Sequence, residues 1–360
     1  MQDIIIFGRG KYFEYKRVGL KSKYNIAGFI DNAVKAGQKL KDERENVVIC
    51  NPEEVLGFPE DMPIMIMSVK FFEMWRQLIE LGVSENRIQF GMSLEPAYEE
   101  REKYFINQNI QIRAGKRRIY FHDSLGGEVT FCDEADYRHW YVERIRNSTW
   151  INHIMNMPLV PVSRNFGFDR GAAIDRYYIE KFIEAHKDCI HGDVMEIGDL
   201  RYTKKYATNI KNSYTLHVKG WGENAIKGDF VTGEGIRENM VDCLIFTQTL
   251  QHIYDIPSTI KNIYKILKPG GRILMTNGVI AQLSLYDYHN WGEYWRFTDQ
   301  SMRKILCEVF DEDKVTVSSY GNVKTAVAFL LGLCVEDLSE TDFEFKDEQY
   351  PMVVTAVAEK

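Results

Sequence analysis

The apolar positions of residues 241–278, VDCLIFTQTLQHIYDIPSTIKNIYKILKPGGRILMTNG, change their spacing twice. A mostly apolar run over 241–246 predicts a strand covered on both faces. A polar stretch, 247–252, follows it. Ile256, Ile260, Ile263, Tyr264 and Leu267 then recur at helical spacing, with Pro257 in the first turn where its missing N–H costs little. Lys268-Pro269-Gly270-Gly271 stops the helix, and a second apolar strand begins over 272–276. The unit is strand, helix, strand.

The same alternation recurs along the chain. An apolar strand over 3–7 ends in Gly8-Arg9-Gly10 ahead of a helical pattern, and a second over 25–30 ends at Asp31. Strands over 47–49, 63–68 and 87–90 and a helix over 71–81 complete a small α/β domain of parallel type. Beyond it, 93–111 is polar and predicts a helix or an exposed linker. Residues 118–161 are rich in aromatics without a clear period. Strands resume over 194–198 and 214–218, and the chain closes with strands over 315–319 and 351–359 around an apolar helix over 323–333. The expected organisation is a nucleotide-binding domain over 1–95, a connector or cap over 96–160 and a catalytic domain over 161–360.

Bulk properties narrow the picture. A chain of 360 residues exceeds one ordinary core, which agrees with two domains. A net charge of −7 gives no global reason to expect nucleic-acid binding, and Lys116-Arg117-Arg118 is short enough to be solvated surface. Six cysteines without a CxxC pair argue against a zinc site or disulfide framework and for a reducing compartment. No apolar run approaches the ~20 residues of a membrane span, and the chain opens into a charged residue and a strand. A cytoplasmic protein without a membrane span is expected.

Candidate chemistry concentrates where strands end. Glycines at a strand-to-helix turn let the backbone approach a phosphate, and an acid about 20 residues on can bind ribose hydroxyls. Gly8, Gly10 and Asp31 have those places, although Phe13 replaces the third glycine. Ligands of open α/β sheets bind at the carboxyl ends of strands, which singles out Gln248 and His252 in the polar loop. In 287–298, DYHNWGEYWRFT, aromatics can stack on a sugar or aglycone, and His289, Glu293 or Asp287 can take a proton from a hydroxyl. Thr298 can cap the following helix. In the helix ahead of the 194–198 strand, Ile174, Tyr178, Ile179, Phe182 and Ile183 face inward, leaving Asp175, Arg176 and Tyr177 off the apolar stripe. Arg164, Asp169 and Arg170, just before it, suit either acceptor contacts or surface ion pairs.

The LKPGG turn before a strand, VMEIG at 194–198, GDF at 228–230, YWRFT at 294–298 and the late strand pair together resemble class I S-adenosylmethionine (AdoMet)-dependent methyltransferases over about 165–360. The resemblance implies two Rossmann-like α/β domains, the second ending in an antiparallel strand pair, with AdoMet as cofactor. It implies that Glu196 and Gly198 hold the methionyl part beside Asp199, and that Arg176 or Tyr177 meets its carboxylate. Asp229 would meet the adenine amino group and Phe230 would pack on the ring. Two departures stand out: Asp199-Leu200-Arg201-Tyr202 replaces further glycines, and the second strand ends at His217 where the family carries a ribose-binding acid. FGRG and GFID resemble the nucleotide-sugar-binding domains of bacterial sugar acetyltransferases. The function expected is therefore O-methylation of a sugar, nucleotide sugar or glycan intermediate, without a metal. Against it stand a non-catalytic nucleotide-binding scaffold and an NAD-dependent sugar oxidoreductase built on Gly8, Gly10 and Asp31. A small-molecule or glycan acceptor, a nucleotide sugar at the first domain and self-association are the partners expected.

Overall fold

The structure, a computed structural model, describes residues 1–68, 70–91, 109–113, 118–123, 127–131, 133–146 and 149–360. These divide into two compact units, Met1–Met157 and Pro158–Lys360. In the first unit, strands β1 (Gln2–Phe7), β2 (Tyr24–Ile30), β3 (Leu40–Asp42), β4 (Val47–Cys50), β5 (Ile64–Ile66) and β6 (Ile88–Phe90) form one sheet in the order β3-β4-β2-β1-β5-β6. All neighbours are parallel except β3, which runs antiparallel to β4. The purely parallel domain expected from the periodicity is corrected at that edge, where Leu40-Lys41-Asp42 carries no apolar run.

Side chains alternate across β1. Ile5 and Phe7 join a cluster with Phe72 and Trp75 of the helix Phe71–Glu80, while Ile4 and Ile6 join Phe13 and Phe29 on the other face. Phe13 is thus core, set edge to face on Phe29 at 5.3 Å. Strands β7 (Asn109–Arg113), β8 (Arg118–Asp123) and β9 (Gly127–Phe131) make a separate antiparallel sheet, followed by helices Glu134–Arg146 and Thr149–Met155. Most of the polar stretch 93–111, and the side chains of Tyr120, Phe121, Phe131, Tyr141 and Trp150, lie outside the described residues.

The second unit is built on seven strands: β10 (Gly192–Ile197), β11 (Ile210–His217), β12 (Ala225–Lys227), β13 (Val241–Thr247), β14 (Leu267–Gly278), β15 (Val315–Tyr320) and β16 (Val353–Glu359). Their order is β12-β11-β10-β13-β14-β16-β15. The first five are parallel, and β16 inserts antiparallel between β14 and β15. This is the sheet, with its antiparallel pair, that the resemblance to class I methyltransferases implies.

Strand β13 is covered on both sides, as its continuous apolar run requires. Leu244 and Phe246 pack with Ile260 and Ile263 of the helix Ile256–Ile266, and Cys243 and Ile245 pack with Ile179 and Ile183 of the helix Ile174–Ala185. Asp255 caps the first of these helices by accepting from the Ser258 N–H at 3.1 Å. That helix ends at Ile266, so Leu267 belongs to β14 and not to the helix face. Lys268-Pro269-Gly270-Gly271 forms an irregularity within the strand, where the pairing jumps from Val241 with Leu267 to Cys243 with Arg272. Lys268 reaches 2.6 Å from both Asp193 and Asp242 at the start of β10 and β13.

Among the described residues no helix is long and apolar enough to cross a membrane. No group of three or more metal-binding side chains is found among them either.

Candidate functional site

The chain reverses direction across the second sheet at β10, whose neighbours β11 and β13 are reached by connections running opposite ways. The carboxyl ends of β10 and β13 therefore leave a crevice between their loops. A cleft of about 660 Å³ opens there, within the roughly 300–1,000 Å³ of small-molecule sites. It brings together Arg176, Glu196, Gly198, Asp199, Asp229, Phe230, Gln248 and His252 of the residues singled out above.

Glu196 is 2 % exposed, and burial pushes its carboxyl above the usual range. It accepts from the Tyr202 N–H at 3.1 Å and from the N–H and hydroxyl of Thr203, both at 2.9 Å. Its work is to hold the start of the helix Arg201–Tyr206 beside the strand end. Gly198 has φ +86°, and a side chain there would meet nothing within 4 Å, so the glycine leaves the cleft floor open. Asp199 is exposed and accepts from the Arg201 N–H at 2.9 Å. Asp229 accepts from the Val231 N–H at 2.7 Å, and buried Phe230 packs edge to face on Phe246 at 5.5 Å.

Gln248 is the strained residue of the polar loop. Its φ of +48° is left-handed, where a side chain costs energy, and its buried amide Nε2 has no partner. His252 sits near it with Nδ1 2.7 Å from the Gly292 carbonyl oxygen. A carbonyl only accepts, so Nδ1 carries the hydrogen and Nε2 of the neutral ring is left as an acceptor. His217 lines the cleft at the end of β11, and its Nδ1 accepts from the Lys219 N–H at 3.1 Å. Glu223 pairs with Lys204 and is not among the lining residues.

A side cavity of about 410 Å³ shares Arg176, Gln248, His252, Tyr286 and Asp287 with the cleft. Asp175, Gln251, Glu293, Arg296 and an apolar wall of Phe166, Phe168, Phe329 and Met352 complete much of its lining. Four polar atoms on it are shut off from solvent without a partner: Asp175 Oδ1, Arg176 Nε, Gln248 Nε2 and Gln251 Oε1. Burial also pushes the Asp175 carboxyl up. Glu293 accepts from the Ser284 N–H at 3.0 Å and pairs with Arg296, so it helps fix its loop.

Several candidates fall elsewhere. His289 is exposed on the short helix Leu285–Asn290, against Tyr288, and lines neither cavity. Tyr177 stacks on Phe343 at 4.1 Å in the core. Arg170 pairs with Asp337 at 2.7 Å and Asp169 accepts from the Ser163 hydroxyl, both tying down the segment before the helix. In the first unit Asp31 accepts from the Ala33 N–H at 3.0 Å in its own turn. A cavity of about 340 Å³ there is lined by Arg9, Arg17, Asp42 and Arg44 among others, and by none of Gly8, Gly10 and Asp31.

Sequence reading gave Asp175 and Gln251 no role of their own, and took Trp291 only as one of the aromatics of 287–298. Asp175 stood off the apolar stripe, but an acid in a first helical turn ordinarily complements the helix dipole and invites no further role.

Residues 202–275 match a family model described as a methyltransferase domain, and residues 1–89 match one described as C2185-like, N-terminal. The description of the second model does not carry the expected likeness to sugar acetyltransferases. Over 74 residues the chain is 27 % identical to a probable polyketide synthase 10 of Dictyostelium discoideum, spanning 21 % of this chain and 3 % of that protein's length. Among solved structures, it is similar to a SAM-dependent methyltransferase from Archaeoglobus fulgidus, with 14 % identity and TM-score 0.32 over 52 % of this chain and 99 % of that one. It is also similar to the N-methyltransferase NodS of Bradyrhizobium japonicum WM9 in complex with S-adenosyl-l-homocysteine, with 13 % identity and TM-score 0.33 over 53 % and 89 %.

Proposed function

We propose that the second unit is an AdoMet-dependent methyltransferase that methylates a hydroxyl oxygen of a small acceptor of the sugar, nucleotide-sugar or glycan class. The observation that carries this reading is the cleft at the carboxyl ends of β10 and β13, lined by Gly198 and, within the stretch that matches a methyltransferase domain, by Asp229, Phe230 and the strained Gln248. The cleft suits AdoMet in size and in its mixture of walls. Asp229 would hold the adenine amino group, Phe230 and Leu216 would wall the ring, and Arg176 would answer the methionyl carboxylate. AdoMet supplies an activated methyl on a sulfonium, whose C–S bond breaks as the oxygen–carbon bond forms and leaves a neutral thioether. Aligning the acceptor for that displacement provides much of the rate. His252 Nε2 receives the hydroxyl proton, because the Gly292 carbonyl holds the ring in the tautomer that can accept.

Calorimetry with S-adenosylhomocysteine (AdoHcy) tests the reading. Binding is expected, and Asp229→Ala should weaken it by about tenfold, the worth of one hydrogen bond. A wild-type chain that binds neither AdoMet nor AdoHcy would leave the non-catalytic scaffold as the better account.

A further inference from the structure

We infer that the side cavity is the acceptor site and that Asp175 and Gln251 read hydroxyl groups on a neutral polyhydroxylated ring. The inference rests on the methyltransferase reading of the adjoining cleft and adds what selects the acceptor.

A buried polar atom without a partner costs about 1–3 kcal/mol, so several on one cavity wall are not expected unless something completes them. Gln251 is 8 % exposed, and its Nε2 donates to Gln248 Oε1 at 3.2 Å, which fixes the amide with Oε1 as the unpartnered acceptor. Asp175 Oδ1 is likewise unpartnered, although an acid in the first turn of a helix could have capped it. Arg176 Nε and Gln248 Nε2 are donors in the same condition. Two acceptors and two donors on residues that line one cavity match hydroxyl groups, each of which donates one hydrogen bond and accepts others. Phe166 and Phe168 give the apolar surface that the C–H face of a sugar ring covers. Asp175, Asp287 and Glu293 against Arg176 and Arg296 leave the lining with no excess positive charge, which argues against a phosphate inside it. His252 borders both cavities, between the ring hydroxyls and the methyl donor.

The test uses the full chain saturated with AdoHcy and a panel of methyl hexopyranosides, followed by saturation-transfer NMR and calorimetry. At least one glycoside should bind, and its monodeoxy analogues should bind at least tenfold more weakly. Asp175→Asn and Gln251→Leu should each weaken glycoside binding at least tenfold while the Kd for AdoHcy stays within twofold, which also certifies that the variants fold. The inference is overturned if no glycoside on the panel binds, if binding survives both substitutions, or if phenol or glucose 6-phosphate binds better. Repeating the glycoside titrations without AdoHcy separates the two levels. Failure of AdoHcy to bind strikes the methyltransferase reading, whereas failure of the glycosides alone strikes only the acceptor assignment.

Discussion

Gln248 is the residue at which stability and binding are opposed. Its left-handed backbone costs roughly 1–2 kcal/mol for a residue with a side chain, and its buried amide nitrogen adds a desolvation cost. The backbone N–H donates to the Thr276 carbonyl at 2.8 Å and Oε1 accepts from Gln251, which leaves Nε2 as the group open to a ligand. Gln248→Gly should therefore raise the stability of the ligand-free protein by about 1 kcal/mol, or a Tm increase of some 2–4 °C for a unit of this size. With AdoHcy bound, the same variant should bind the acceptor glycoside less tightly. A fall in Tm, or an unchanged Kd, would show that the residue serves the fold alone. Gln248 and His252 were legible because a polar loop at a strand end stands out against apolar surroundings. Asp175 and Gln251 were not, because burial without a partner is a property of three-dimensional packing and leaves no mark on the sequence. His289 shows the converse, since a titratable residue among aromatics reads as chemistry from the sequence while the structure leaves it exposed on the helix Leu285–Asn290.

Among the elements, the Lys268-Pro269-Gly270-Gly271 turn has a second role that its spacing could not reveal. It was legible as the end of a helix, yet Lys268 also ties the starts of β10 and β13 through Asp193 and Asp242. The Lys268 ammonium, helped by the Asn212 amide, holds the Asp193 carboxyl below its usual range. At Asp242, burial pushes the carboxyl up, but Lys268 and the Asp193 N–H more than offset it. A carboxyl depressed in the folded state contributes stability above its unfolded value near ~3.9 and loses it as pH falls through the lower folded value. Lys268→Met should thus cost about 2 kcal/mol at pH 7, where two carboxylates lose their cation in a partly buried site. The deficit should shrink as the pH falls from 4 toward 2, because protonated carboxyls need no partner. Urea denaturation of both proteins at pH 7 and pH 3 measures this, and a pH-independent deficit would mean that Lys268 acts by packing.

At the scale of the whole molecule, periodicity revealed the two α/β regions because both sheets rely on strands apolar on both faces. It missed the edge strands β3 and β12, short and without a buried apolar run, and the β7–β9 meander, where RIYFHD places aromatics on both parities and hides the alternation. The buried clusters of the second sheet run from Ala173 to Ala358, and the linings of the cleft and side cavity run from Asn165 to Met352. Core and candidate site are therefore both contained in the unit Pro158–Lys360. A domain that owns its core can fold alone, and a site whose lining comes from one domain needs no other to form. Residues 158–360, expressed alone, should unfold in one cooperative transition and bind AdoHcy within about threefold of the full chain's Kd, since that difference is under 1 kcal/mol. A fragment that lacks a cooperative transition would show that the first unit supplies stability to the second. A folded fragment with affinity reduced tenfold or more would show that residues before 158 complete the cleft.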